Sequence, residues 1–256
     1  MTSRERTYRI EGIILRRRNI GEADSIFTIL SNTHGKVDAV ARSIRKPRSK
    51  MRGHLETMVQ SNLFVARGRN LDILTQAQTI DSYQEIRRNL EKSAAALYCF
   101  ELIDLFIEEG DPFPELYRGL KDFLEVLKVT NSPLAVRYFE LYLLNLLGYE
   151  VRVFECVVCD SRLPEQTALL VPEAGGLVCG NCRLNTGPGR LVPVPIIKLF
   201  RFASKVSLEN YVTIRVSVEN LNLLRLATVD LIHYHLEREP KSQYFLENLP
   251  PPPQKP

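Results

Sequence analysis

The chain is poor in the features that mark enzymes, membrane proteins and secreted proteins. No apolar run among its 256 residues approaches the ~20 needed to cross a bilayer, and nothing at the N-terminus resembles a signal peptide. The expectation is a soluble cytoplasmic protein with no membrane contact. There is no H-E-x-x-H, no G-x-S-x-G and no glycine loop ending in Lys-Ser or Lys-Thr, so no common catalytic constellation is available and the chain is read as a non-enzyme. Aromatics are few in the first eighty residues, where Tyr8, Phe27 and Phe64 stand alone, each in an apolar run that suits core packing. With 45% hydrophobic and 25% charged residues, the composition is that of a folded protein with room for two or three domains.

The modest net charge of +4 conceals an asymmetry. Residues 1–80 hold 15 Lys/Arg against 7 Asp/Glu, a net of +8, whereas residues 81–256 hold 19 against 23, a net of −4. A basic module joined to a mildly acidic one points to a polyanion on the first and another task for the second. From Tyr8 to Ile80 the pattern is of short strands: Tyr8–Arg18, Ser25–Leu30, Lys36–Ser43, Glu56–Ala66 and Leu71–Ile80. Five strands without a long helix suit a small closed barrel of OB type, with an SH3-like barrel nearly as suitable. Arg42, Arg45, Lys46, Arg48, Lys50 and Arg52 place six cations in eleven acid-free residues, a loop able to follow a phosphate backbone. Arg16, Arg17 and Arg18 add three at the end of the first strand, at least two of them facing solvent together.

After Asp81 the period becomes helical. Leu97–Phe106 is apolar over most of its circumference, and Cys99 within it reads as a small core residue. A second helix opens at Pro114, a third opens near Pro133 and stops at Gly148, and two more cover Ile196–Lys205 and Val218–Leu236, the last capped by Ser217. Between them lie Cys156-Val-Val-Cys159, nineteen residues, and Cys179-Gly-Asn-Cys182. Two C-x2-C pairs at this separation read as a structural Zn2+ site, because four thiolates fill a tetrahedral shell and leave no position for a reactive water. Gly175, Gly176 and Gly180 are expected to supply the positive φ or close backbone approach that the knuckles need. The organisation expected is therefore a basic OB-type nucleic-acid-binding barrel (1–80), an α-helical domain carrying the zinc motif at 156–182 (81–240), and a flexible Pro-rich tail (241–256). His233 and His235 point apart on a helix and cannot share a metal. Glu108, Glu109 and Asp111 read as the solvated end of a helix.

Tyr8-Arg-Ile-Glu-Gly-Ile-Ile-Leu-Arg, Gly21-Glu-Ala-Asp-Ser, His34-Gly-Lys, Arg52-Gly-His-Leu-Glu, and Leu146-Leu-Gly-Tyr followed by the C-x2-C pairs and Gly175-Gly176 recur together. In that order they resemble the bacterial RecO family of recombination mediators, from about Tyr8 to Leu236. Asp160 stands where many relatives have glycine. The resemblance implies an OB barrel, a helical zinc-bearing domain and a nucleoid-associated role in DNA repair, DNA damage response and recombination. It implies binding and annealing of single-stranded DNA, with double-stranded DNA as a further ligand. It also implies partnership with RecR and with the acidic tail of the single-strand binding protein, and through them the loading of RecA. A phenylalanine-ended tail needs an apolar pocket rimmed by cations, and Arg137 is the expected rim residue, with Arg118 and Lys121 as further candidates. A zinc-ribbon RNA-binding or ribosome-associated factor on the same basic barrel is the alternative. A nuclease is a third possibility, but Asp24, Asp38 and Glu56 are too scattered to argue for it.

Overall fold

A computed structural model describes residues 6–110 and 112–249. The chain parts into two compact units. The first runs to Leu124 and takes in the chain again from Pro240, and the second is Glu125–Glu239. The change from strand to helix near residue 80 is thus not where the compact units separate.

Among the described residues the first unit opens with five strands, β1 (Thr7–Ile20), β2 (Asp24–Ser31), β3 (Gly35–Ala41), β4 (Gln60–Ala66) and β5 (Asp72–Asp81). They close into a barrel in the order β1-β2-β3-β5-β4, parallel between β3 and β5 and antiparallel elsewhere. This is the expected OB-type barrel. Following paired residues round it from Arg17 leads through Phe27, Ala39, Asp72 and its neighbour Ile73 to Ala66, and back to β1 at Thr7. The return at a different residue is the stagger that lets tilted strands close. Ile10, Ile14, Phe27, Ile29, Leu63, Val65 and Leu74 fill the interior, and Ile44 and Leu55 from the loop after β3 join them. Phe27 is therefore a core residue, as its sequence context indicates.

Three helices follow, α1 (Gln84–Arg87), α2 (Leu90–Phe106) and α3 (Pro114–Val129). α2 is buried on most sides, Cys99 included, and packs against β1. Glu108 and Glu109 are exposed just past the end of α2 at Phe106, as expected, but the backbone there is held: Glu109 bridges to Lys36, and the Gly110 N–H donates to the Lys36 carbonyl at 3.3 Å. Asp111 lies outside the described residues.

In the second unit α4 (Leu134–Leu146) starts after Pro133 and ends as expected at Gly148, whose φ of 82° lets the Tyr149 N–H return to the Leu144 carbonyl at 2.8 Å. A small sheet that the sequence did not announce comes next, β6 (Ala168–Val171), β7 (Gly176–Val178) and β8 (Arg190–Val192), in the order β7-β6-β8. Strands of three or four residues are too short to show a period. α5 (Val194–Ala203), α6 (Leu208–Tyr211) and α7 (Val218–Leu236) complete the unit, and Ser217 caps α7 by accepting from the Asn220 N–H at 3.2 Å.

The expectation of a tail from residue 241 needs correction. Lys241–Glu247 form α8 in the first unit, packed on α2, with the Glu101 carboxylate accepting the backbone N–H groups of Lys241 and Ser242 at 3.0 and 2.7 Å. A carboxylate at a helix N-terminus satisfies groups the helix itself cannot. The Pro250–Pro253 run lies outside the described residues.

Candidate nucleic-acid interface and metal centre

The nine basic candidates gather at one end of the barrel. Arg18 pairs with Ile26 and Ile26 with Val40, while Asn19 pairs with Ser25 and Ser25 with Ala41. The end of β1 and the exit of β3 into the basic loop therefore share an edge. Three hydrogen bonds staple that loop to the β1–β2 turn: Arg45 N–H to the Ala23 carbonyl (2.9 Å), the Arg45 guanidinium to the Gly21 carbonyl (3.1 Å), and Ser43 N–H to Asp24 Oδ1 (2.7 Å). Asp24 thus acts as a loop anchor. Its carboxylate is spent on a backbone amide and does not contribute to a metal cluster.

Arg18, Arg42, Arg45, Lys46, Arg48, Lys50 and Arg52 are all exposed, and among the described residues none of them is ion-paired. Arg17 is half-buried, donating to Ser25 Oγ at 3.2 Å and lying near the Phe27 ring. Arg16 differs. Its guanidinium lies 3.2 Å from Asp104 on α2, which also accepts from the buried Lys36 Nζ at 3.2 Å through its carboxylate and at 2.7 Å through its carbonyl. Asp104 partners one of the three strand arginines, which stays exposed, and only the tertiary packing of α2 reveals the pair. Tyr8 and Phe64 are not core residues throughout: both are half-buried, with Arg67 over Tyr8 and Arg9 over Phe64 at 4.8 and 4.2 Å.

The four cysteines converge. The sulfurs of Cys156, Cys159, Cys179 and Cys182 all lie within 4.8 Å of one another, and Cys159 and Cys179 are 3.9 Å apart. A tetrahedral zinc–thiolate centre with arms of about 2.3 Å has edges of roughly 3.8 Å, so the cluster fits a metal of that size. Burial raises the Cys156 thiol, but donation from the backbone N–H groups of Cys179, Cys159 and Val158 outweighs it and brings the thiol down to about 6. A metal binds the thiolate form, which these donors favour at Cys156, whereas contact with the Cys179 and Cys159 sulfurs raises the Cys182 thiol.

The knuckles are formed by particular backbone choices. Asp160 takes φ of 54°, the left-handed turn for which glycine is the usual residue, and its carboxylate meets Arg152 at 2.8 Å. Gly175 has φ of 74°, and a Cβ on Gly176 would come within 2.4 Å of the Arg152 carbonyl. Gly180, in contrast, needs neither positive φ nor close approach, so the expectation placed on it is not met. Among the described residues no other group of three or more His, Cys, Asp or Glu converges for a metal.

Of the three expected partner-binding residues, Arg137 cannot rim a surface pocket. Arg137 is 5% exposed and paired with Glu140, because it points into the second unit and not along its edge. Lys121 reaches Glu11 on β1 at 3.7 Å, and Arg118 pairs with Glu115 on its own helix at 3.1 Å. An apolar cleft of about 380 Å³ with cations at its margin does exist elsewhere. Pro195, Leu199, Phe202 and Ile214 line it, with Lys198 and Arg215 beside them.

No helix among the described residues is long and apolar enough to cross a membrane. The family described as Recombination protein O N terminal matches residues 4–83, and Recombination protein O C terminal matches residues 87–243. The chain is 36% identical to the DNA repair protein RecO of Dehalococcoides mccartyi strain 195 over 94% of its own length and 96% of that relative. To the DNA repair protein RecO of Roseiflexus it is 37% identical over 96% and 87%, and to that of Pelotomaculum thermopropionicum 31% over 94% and 93%. With a closed barrel, a helical unit, a convergent four-cysteine cluster and likeness along nearly its whole length, the chain belongs to the RecO family.

Proposed function

We propose that the chain is a DNA repair and recombination mediator without catalysis of its own. It binds single-stranded DNA, anneals complementary strands and, with RecR, helps load RecA onto strands coated by single-strand binding protein. The observation that carries this reading is the stapled basic loop, which joins Arg18 of β1 to the unpaired cations of residues 42–52 on one barrel end. Backbone-directed cations without base-reading side chains give sequence-tolerant binding. Competition among single-stranded DNA, duplex DNA and RNA oligonucleotides tests the ligand, and annealing of strands precoated with single-strand binding protein tests the activity. Preference for RNA, or no annealing above the spontaneous rate, would overturn the reading. The same reading puts the protein's work at chromosomal DNA, in the cytoplasm at the nucleoid.

Zinc is the metal proposed for the cysteine cluster, since four soft thiolates in a closed tetrahedron suit it and leave no catalytic position. The acidic tail of the single-strand binding protein is assigned to the cleft of Leu199, Phe202 and Ile214, where an apolar end group would be covered and Lys198 and Arg215 would meet carboxylates. Arg215→Glu is expected to weaken a tail peptide while leaving oligonucleotide affinity intact. Equal peptide affinity would remove the cleft.

A further inference from the structure

Although residues 81–256 are net acidic, residues 174–208 contain five cations, Arg183, Arg190, Lys198, Arg201 and Lys205, and no Asp or Glu. Lys198, Arg201 and Lys205 recur at three- and four-residue spacing through α5 and just beyond it, on the side away from the buried Ile196, Ile197 and Phe200. The Arg201 guanidinium donates to the carbonyls of Val153 (2.8 Å) and Leu163 (3.4 Å), which fixes the segment that leads into Cys156. Phe154 stands on that segment. Arg201 Cζ and Lys205 Nζ lie 5.4 and 4.9 Å from its ring centroid, yet the residue is 42% exposed.

A large aromatic left partly open to solvent with two cations close to its ring has the composition of a single-strand contact: an apolar surface for a base and positive charge for the adjoining phosphate. Two acids nearby are engaged, Glu155 by Arg152 at 3.4 Å and Glu165 by Lys198 at 3.0 Å. Lys205 is exposed and, among the described residues, has no carboxylate partner, so only the ring holds its charge. A phosphate, unlike a ring face, offers Lys205 a charge-assisted hydrogen bond.

We propose that Phe154, Arg201 and Lys205 form a second contact for single-stranded DNA, on the zinc-bearing unit and independent of the barrel loop, in which an unpaired base lies on Phe154 and Lys205 takes the adjacent phosphate. The inference rests on the single-strand reading of the chain. It also gives annealing, which involves two strands, a second cation-lined place to hold one.

The chain has no tryptophan, so Phe154→Trp introduces a lone reporter. Its emission is expected to fall on titration with oligothymidylate at low salt, to recover as salt is raised, and to stay unchanged when Lys205→Glu is added. Phe154→Ala is expected to weaken binding roughly tenfold, the scale of one lost base stack, without shifting the melting temperature. Lys205→Glu, on the exposed surface, provides the same comparison should a Phe154 variant fold poorly. Unquenched emission together with wild-type affinity in Lys205→Glu overturns the proposal, as does quenching by an acidic peptide and not by DNA. A Lys46→Ala, Arg48→Ala variant run in parallel separates the failures. If it alone weakens binding, the second contact is wrong and the barrel reading stands; if neither set matters, the single-strand reading itself fails.

Discussion

Arg137 and Glu140, one turn apart on α4, form an ion pair at 3.2 Å with side chains 6% and 0% exposed, and Arg137 also donates to Thr228 Oγ1 on α7 at 3.2 Å. A guanidinium placed this way ties two helices of one unit together. Arg137→Ala removes a buried guanidinium beside a buried carboxylate, together with its bond to Thr228, and is expected to destabilise the protein by about 3–5 kcal/mol. Arg137→Met combined with Glu140→Leu should recover most of that loss, because apolar residues of similar volume commonly replace a buried pair without penalty. Denaturant unfolding of the wild type, single and double variants checks this; an unshifted midpoint for Arg137→Ala would contradict it.

Cys179→Ser removes one of four converging thiolates. Structural zinc contributes on the order of 10 kcal/mol in small peptide sites, and the helices of the second unit should cushion the loss here. The expected outcome is a lower melting temperature and release of the metal to a chelator that leaves the wild type loaded. Metal analysis and thermal melts decide it, and a metal-free wild type with an unchanged melt in the variant would refute the assignment.

Single-strand affinity should fall with salt at a log–log slope of about −0.7 per phosphate neutralised. Lys46→Ala with Arg48→Ala is expected to flatten the slope by about 1 to 1.5 and to weaken all sequences alike. Arg16→Ala should change the slope less than Arg18→Ala, since Asp104 already balances Arg16. Equal effects of the two strand arginines would show that Asp104 does not hold Arg16 in solution.

His235 stacks on Tyr149 with ring centroids 4.2 Å apart, and partial burial lowers its titration below the usual 6.5. Between 6.5 and that lower folded value the unfolded chain binds more protons than the native one, so stability should decline as pH falls through this window. His235→Gln is expected to reduce the pH dependence there. Melting temperatures from pH 7.5 to 5.5 for both proteins measure it, and identical profiles would exclude His235 as the source.

Features that depend on a few neighbouring residues were determined by the sequence alone: the paired C-x2-C knuckles, the Ser217 cap, the Gly148 stop and the six-cation loop. Each is local chemistry, readable wherever the chain goes. Tertiary structure alone decided which charges are partnered. Arg16 and Arg18 are equivalent in sequence, but the packing of α2 brings Asp104 to the first and no acid to the second. Arg137 looked like a surface residue until α7 supplied Thr228 and its own helix buried Glu140. The same holds for α8, whose N-terminus is satisfied by Glu101 from a distant part of the chain, and for β6, β7 and β8, too short to carry a period. An ion pair or cap formed across long sequence separation depends on which surfaces the hydrophobic core brings together, and that is a property of the whole fold, not of any one segment.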